Sequence, residues 1–241
     1  LAAGEPGDES IRLKQLNLYT WTGDAKACLE VLETMPAQSR VTNPRFLSYR
    51  AGYRAKLGDS AGAIADYEAM RRMVAEHLAD RVGPRVTALT ALTSLARLES
   101  SLGNAEKANR LIDQVFPEAE KFRADFPNAT QWALVLGLAQ AKRNRAAEAV
   151  AAVDGVLERT LRSRNIPVER VARRNRAAVL AAVGRADEAV TELERLRDTG
   201  QALGYTLRTN EDFDPLRNHP RFQKLMAQAE AEAAAQKRTK R

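Results

Sequence analysis

Apolar residues recur along this chain at helical spacing, and five times such a run halts at a glycine or asparagine and then resumes as an alanine-rich run. The halts fall at Gly23-Asp24, Gly58-Asp59, Gly103-Asn104, Asn144-Arg145 and Gly184-Arg185, at intervals of 35, 45, 41 and 40 residues. Glycine and asparagine are the residues a left-handed helix C-cap accepts, because a Cβ crowds the backbone there. The flanks keep the same register. Five residues after each halt stand Cys28, Ala63, Ala108, Ala149 and Ala189, all small; seven before stand Leu16, Ala51, Ala96, Gly137 and Ala177. Nine after stand Leu32, Tyr67, Ile112, Val153 and Leu193, all large and apolar. Small residues on facing sides let two antiparallel helices approach closely, and the large one fills the groove beside them. The pattern predicts helix pairs over 9–22/24–35, 43–57/59–79, 85–102/104–124, 128–143/145–163 and 168–183/185–203, with a kink or break at Pro117.

This small–turn–small–large order resembles the tetratricopeptide repeat, most closely in RAGYRAKLGDSAGAIADYEAM and RRNRAAVLAAVGRADEAVTELERL. The resemblance covers Glu9 to Leu203 and implies an all-α superhelix of about five helix pairs, with a capping helix after it. It departs from the family in two ways: the intervals mostly exceed the usual repeat of about 34 residues, and a closing proline is available only at Pro36 and Pro127.

After the array, Tyr205 to Asp214 breaks the pattern and reads as a loop. A last helix is expected from Pro220, with Phe222, Leu225, Met226, Ala229 and Ala233 on one face, able to cover the final pair. The organisation expected is a linker at 1–8, the array at 9–204, loop and capping helix at 205–235 and a basic tail at 236–241. LRTNEDFDPLRNHPRFQKLM is similar to the endings of tetratricopeptide arrays in bacterial signalling proteins. That similarity implies the regulatory or interaction module of a larger protein, as do the start at Leu1 and the linker-like Gly4, Pro6 and Gly7.

Aromatic residues make up only 5% of the chain, which suits helix-on-helix packing better than a β-sandwich. The single cysteine, Cys28, precludes an internal disulfide and leans toward the cytoplasm, with the periplasm still open. Cys28 takes the place of alanine in the other repeats and reads as a buried small residue; Trp21 and Trp132 read as packing residues, and His219 as part of a helix start. No phosphate loop, dinucleotide fingerprint or nucleophile elbow occurs, and His77, His219 and Cys28 make a poor metal set. The reading is therefore a non-enzyme without a cofactor, and no stretch is apolar enough to span a membrane.

In tetratricopeptide arrays the first helix of each pair lines the partner groove. Here the groove positions ten before each halt are Leu13, Ser48, Thr93, Leu134 and Arg174; those six before are Asn17, Gly52, Arg97, Leu138 and Ala178. The lysine–asparagine set that clamps a C-terminal carboxylate in some family members is not reproduced within one repeat. The candidate partner residues are Asn17, Arg45, Arg97, Gln131, Lys142 and Arg174, suited to an acidic or amphipathic protein segment.

The net charge of +7 is concentrated. Arg159, Arg162, Arg164, Arg170, Arg173, Arg174 and Arg176 face only Glu169 within their stretch, and four more cations lie in Lys237 to Arg241. A nucleic-acid contact is the alternative this basic patch raises, although no aromatics are interleaved for base stacking. Partner identity and oligomeric state stay open.

Overall fold

The computed structural model describes residues 6–36, 43–127 and 129–239, and these form helices and turns with no strand among them. All five predicted halts are turns of one construction. Gly23, Gly58, Gly103, Asn144 and Gly184 have φ of 78°, 85°, 83°, 57° and 80°, the left-handed region. In each, the amide of the next residue donates back to a carbonyl five residues earlier at 2.9–3.0 Å, from Asp24 to Tyr19, Asp59 to Arg54, Asn104 to Glu99, Arg145 to Gln140 and Arg185 to Leu180. This closes the orphan carbonyls of the first helix. Asp24 and Asp59 also cap the second helix, accepting from the amides of Ala27 and Gly62 at 2.9 Å.

The helices so delimited are α1 (Pro6–Thr22) with α2 (Ala25–Glu33), α3 (Pro44–Lys56) with α4 (Ser60–His77), α5 (Val82–Ser101) with α6 (Ala105–Asp125), α7 (Gln131–Lys142) with α8 (Ala146–Ser163), and α9 (Ile166–Ala182) with α10 (Ala186–Asp198). Then come α11 (Gly204–Thr209), a 3-10 turn (Glu211–Leu216) and α12 (Pro220–Thr239). All fifteen register residues at the small and large positions are buried.

The chain divides into two compact units, residues 1–126 and 127–241. The register of halts, and with it the array expected over 9–204, runs across that boundary. In the first unit, α2 packs on α3, so that Leu16, Cys28, Leu32 and Met35 share a core with Phe46 and Tyr53. In the second, α7 lies against both α8 and α9. The approach there is close: a Cβ on Gly137 would stand 2.8 Å from a Val179 methyl and 3.1 Å from the Ala149 carbonyl.

The second unit ends in a cap that buries Leu203, Leu207, Phe213, Leu216, Phe222 and Leu225 against Ala177, Ala178, Leu180 and Ala181 of α9 and the inner face of α10. Much of the expected loop 205–214 is therefore helical, because Leu207 and Phe213 need fixed backbone to reach that core. Arg217 fastens the cap, donating to the carbonyls of Leu207, Arg208 and Asn210 at 2.5, 3.0 and 3.4 Å, with Phe222 beneath its guanidinium at 5.7 Å.

Three further boundaries differ from expectation. α1 starts at Pro6, inside the expected linker, since proline suits a first helical turn. α6 runs through Pro117 without a break; the proline is exposed, as is Asp113, whose carbonyl it deprives of a donor. α12 extends to Thr239 into the expected tail, continued by Ala233 to Ala235 and the helix formers Gln236 and Lys237. Residues 1–5 of the linker and 240–241 of the tail lie outside the described residues.

Candidate partner-binding surface

The groove positions in the first unit are open. Asn17 and Arg97 are exposed, and Leu13, Ser48, Gly52 and Thr93 are partly so, giving one accessible strip on each of α1, α3 and α5. Arg45 is exposed at the start of α3, where the Asn43 side chain accepts from its amide at 3.0 Å. In the second unit Leu134, Leu138 and Arg174 are likewise partly exposed, and Ala178 is buried. Gln131 begins α7 and its side chain accepts from the Thr130 amide at 3.0 Å, which commits it to the helix start. Lys142 is exposed at the end of α7.

The arginine run separates into two sets. Arg159, Arg162 and Arg164 are exposed around the α8–α9 turn, where Arg164 itself takes φ of 52°. Arg162 makes an exposed pair with Glu158 at 3.5 Å. Arg170, Arg173 and Arg176 turn inward. Arg170 donates to the Thr199 hydroxyl at 3.1 Å and to its carbonyl. Glu192, 1% exposed, accepts from Arg173 at 3.0 Å and from Arg195 at 2.7 Å, and pairs with Arg176 at 3.2 Å. Arg173 and Arg176 each hold a second acid, Glu169 and Asp154, both at 2.6–2.7 Å. Burial disfavours the charge on Arg173, but the bonds to Glu169 and Glu192 outweigh it and its pKa rises. Arg174, between them in sequence, has its pKa lowered by burial, with Asp212 only partly opposing.

Two more buried acids join helices. Asp66 of α4, 4% exposed, receives Arg50 at 2.6 and 2.9 Å and Arg54 at 2.9 Å. Glu99 of α5 accepts from the Asn104 side chain at 2.8 Å and pairs with Lys107 at 2.5 Å. Hydrogen bonding from Lys107 and then Asn104 holds the Glu99 carboxyl below its usual range, against the opposing effect of burial.

Sequence reading missed the acids at the centre of these networks, though a signal was present. Arg50 and Asp66 stand eight residues before and after Gly58, and Arg176 and Glu192 eight before and after Gly184. Equal offsets about one turn place two residues opposite each other. In the third pair the same positions hold the buried Leu95 and Leu111.

Among solved structures the chain is similar to a thermophilic TPR protein of Thermus thermophilus, at 18% identity and a TM-score of 0.55, over 86% of this chain and 98% of that one. The fold is tetratricopeptide-like. The nearly identical TPR-like repeats assigned to a kinesin light chain of Podosopora anserina are also similar, at 20% identity and a TM-score of 0.46, over 81% and 96% of the two chains. No protein-family model and no curated protein matches the sequence.

Within the tetratricopeptide-like pairs Cys28 is fully buried beside the Thr20 hydroxyl, 3.6 Å away, as its register position requires, and Trp132 is buried as a packing residue. The side chain of Trp21 lies outside the described residues. His219 precedes α12, with its Nε2 3.3 Å from Asp187 and its carbonyl accepting from the Gln223 amide at 3.0 Å. Among the described residues there is no group of three or more potential metal ligands, and no helix is long and apolar enough to cross a membrane.

Proposed function

We propose that this chain is a non-catalytic protein-interaction scaffold, the regulatory module of a larger bacterial signalling protein, which takes a partner segment along its first helices. The observation that supports this most is the strip on α1, α3 and α5. All six groove positions there stay accessible, while the other faces of the same helices bury Leu16, Phe46, Leu47, Leu89 and Leu92. A run of helix positions that keeps solvent access along three successive first helices is available to a partner. Arg45 and Arg97 give the strip a cationic character, suited to an acidic or amphipathic segment.

The test is affinity capture from cell lysate with and without nuclease, followed by direct titration of the captured protein against the wild-type chain and the R45E/R97E variant. The scaffold reading expects a discrete protein that survives nuclease and binds the variant at least about tenfold more weakly, the effect of losing one well-placed charge contact or two modest ones. Unchanged affinity removes the strip from consideration. Capture that vanishes with nuclease transfers the function to Arg159, Arg162 and Arg164.

A further inference from the structure

Arg174 differs from every other inward arginine of α9. Arg170 has Thr199, Arg173 has Glu169 and Glu192, and Arg176 has Asp154 and Glu192. Arg174 is half-buried, yet among the described residues it donates no hydrogen bond and has no carboxylate within ion-pair distance. Asp212 reaches it only through space. A guanidinium that gives up part of its hydration without gaining an acceptor loses free energy, which a bound anion would restore.

The side chain lines a cavity of about 190 Å³ between α9 and the turn that leads from α10 into α11. Pro167, Val171, Leu196 and Leu203 form apolar walls, and the polar side chains there besides the two arginines are Gln201 and Thr206. Arg170 also reaches this cavity, but its guanidinium is already bonded to Thr199.

We propose that this cavity binds a small aliphatic carboxylate, whose charged end meets the Arg174 fork and whose tail covers Leu196 and Leu203. The fork presents parallel N–H donors matched to the two oxygens of a carboxylate. Thr206 supplies a further donor, and Gln201 a second amide hydrogen besides the one it gives the Ala202 carbonyl at 3.4 Å. The volume sets the size: an apolar cavity of about 150 Å³ holds one benzene ring, so about five to eight non-hydrogen atoms fit here. A nucleotide is too large. An inorganic anion would satisfy the arginine but leave the apolar walls uncovered. The site differs from a peptide groove in its small volume and in being bounded on one side by Leu203 and Thr206 of the cap, with Ala178 buried one turn further along α9. It is independent of the strip on α1, α3 and α5, so either proposal can fail alone.

The experiment uses the full chain labelled with ¹⁵N, observing arginine Nε–H resonances during titration with butyrate at constant ionic strength. Butyramide serves as the uncharged isostere, and a short acidic peptide as the alternative source of the carboxylate. Arg174→Gln identifies the Arg174 resonance by its loss and removes the fork. Gln201→Glu keeps Arg174 but places a carboxylate in the cavity. The expected result is a saturable shift of the Arg174 resonance with butyrate, with a dissociation constant on the order of 1 mM, and no shift with butyramide. The other shifts caused by butyrate should vanish in Arg174→Gln, and the Arg174 shift should vanish in Gln201→Glu, with both variants melting cooperatively. Absence of a saturable shift in the wild type overturns the proposal, as does an undiminished response in either variant. A response to the peptide alone also overturns it and returns Arg174 to the partner-binding surface.

Discussion

Replacing Glu192 with glutamine tests whether the inward arginines of α9 serve the fold or a partner. Glu192 is 1% exposed and meets three guanidinium groups at 2.7 to 3.2 Å. Glutamine keeps the shape and one acceptor oxygen but removes the charge. A hydrogen bond to a charged group contributes about 1.5–3 kcal/mol and a neutral one about 0.5–1.5, so a bond kept by the amide oxygen weakens by about 1 kcal/mol, and the guanidinium that meets the amide nitrogen loses this acceptor. Arg195 is 59% exposed, so its share is largely screened away. Arg173 and Arg176 keep Glu169 and Asp154 as second partners, which prevents the full loss of about 3–5 kcal/mol seen when a buried charge is stranded. The expected cost is about 2 kcal/mol, or a fall in Tm of about 8 °C for a cooperative unit of this size. Thermal and urea unfolding followed by circular dichroism measure it. The coupling comes from repeating Arg176→Met in both backgrounds. That substitution should cost about 1 kcal/mol less where Glu192 is already glutamine. If E192Q shifts stability by less than about 0.5 kcal/mol, the range of ordinary surface changes, or if the two effects simply add, the network is not structural. The arginines then revert to candidates for a partner surface.

The two glycines of the first-helix register should respond with opposite signs. Gly52→Ala meets only the Tyr67 hydroxyl at 3.9 Å and should stabilise α3 by about 1 kcal/mol. Gly137→Ala must displace Val179 and the Ala149 carbonyl, and should lose about 1–3 kcal/mol to overpacking against the same propensity gain, so a urea midpoint above wild type refutes the close approach. Lys107→Met should destabilise at neutral pH. Because the folded Glu99 pKa is depressed, its contribution is complete above the ordinary carboxylate range and is lost as pH falls through the folded value; the difference between mutant and wild type should shrink under strong acid. Arg217→Ala should cost about 2–3 kcal/mol by taking this donor from the Leu207 and Arg208 carbonyls, and Arg217→Lys should recover little, because one ammonium cannot reach three diverging acceptors.

What the sequence made legible was whatever repeats with the turn. The five left-handed residues and the fifteen small and large positions follow from sterics acting within some ten residues, so each pair announces itself locally. The cap was less legible because it occurs once. Leu207, Phe213 and Leu216 lie too far apart for one helix face, and only the exposed end of α9 and α10 explains why the intervening chain coils into α11 and a 3-10 turn. The arginines show how the same positions carry different chemistry. Eight residues either side of the turn, the third pair places Leu95 against Leu111, and the second and fifth place Arg50 against Asp66 and Arg176 against Glu192. An apolar pair would be as stable there or more so, because desolvating two charges consumes much of their attraction. The charged version discriminates: α9 cannot slide on α10 by one residue without stranding Glu192, whereas leucine tolerates such a slip. Counting charge along the chain hid this, since Arg173 and Arg176 sit beside Arg174 in sequence but are already neutralised, and Arg174 is not.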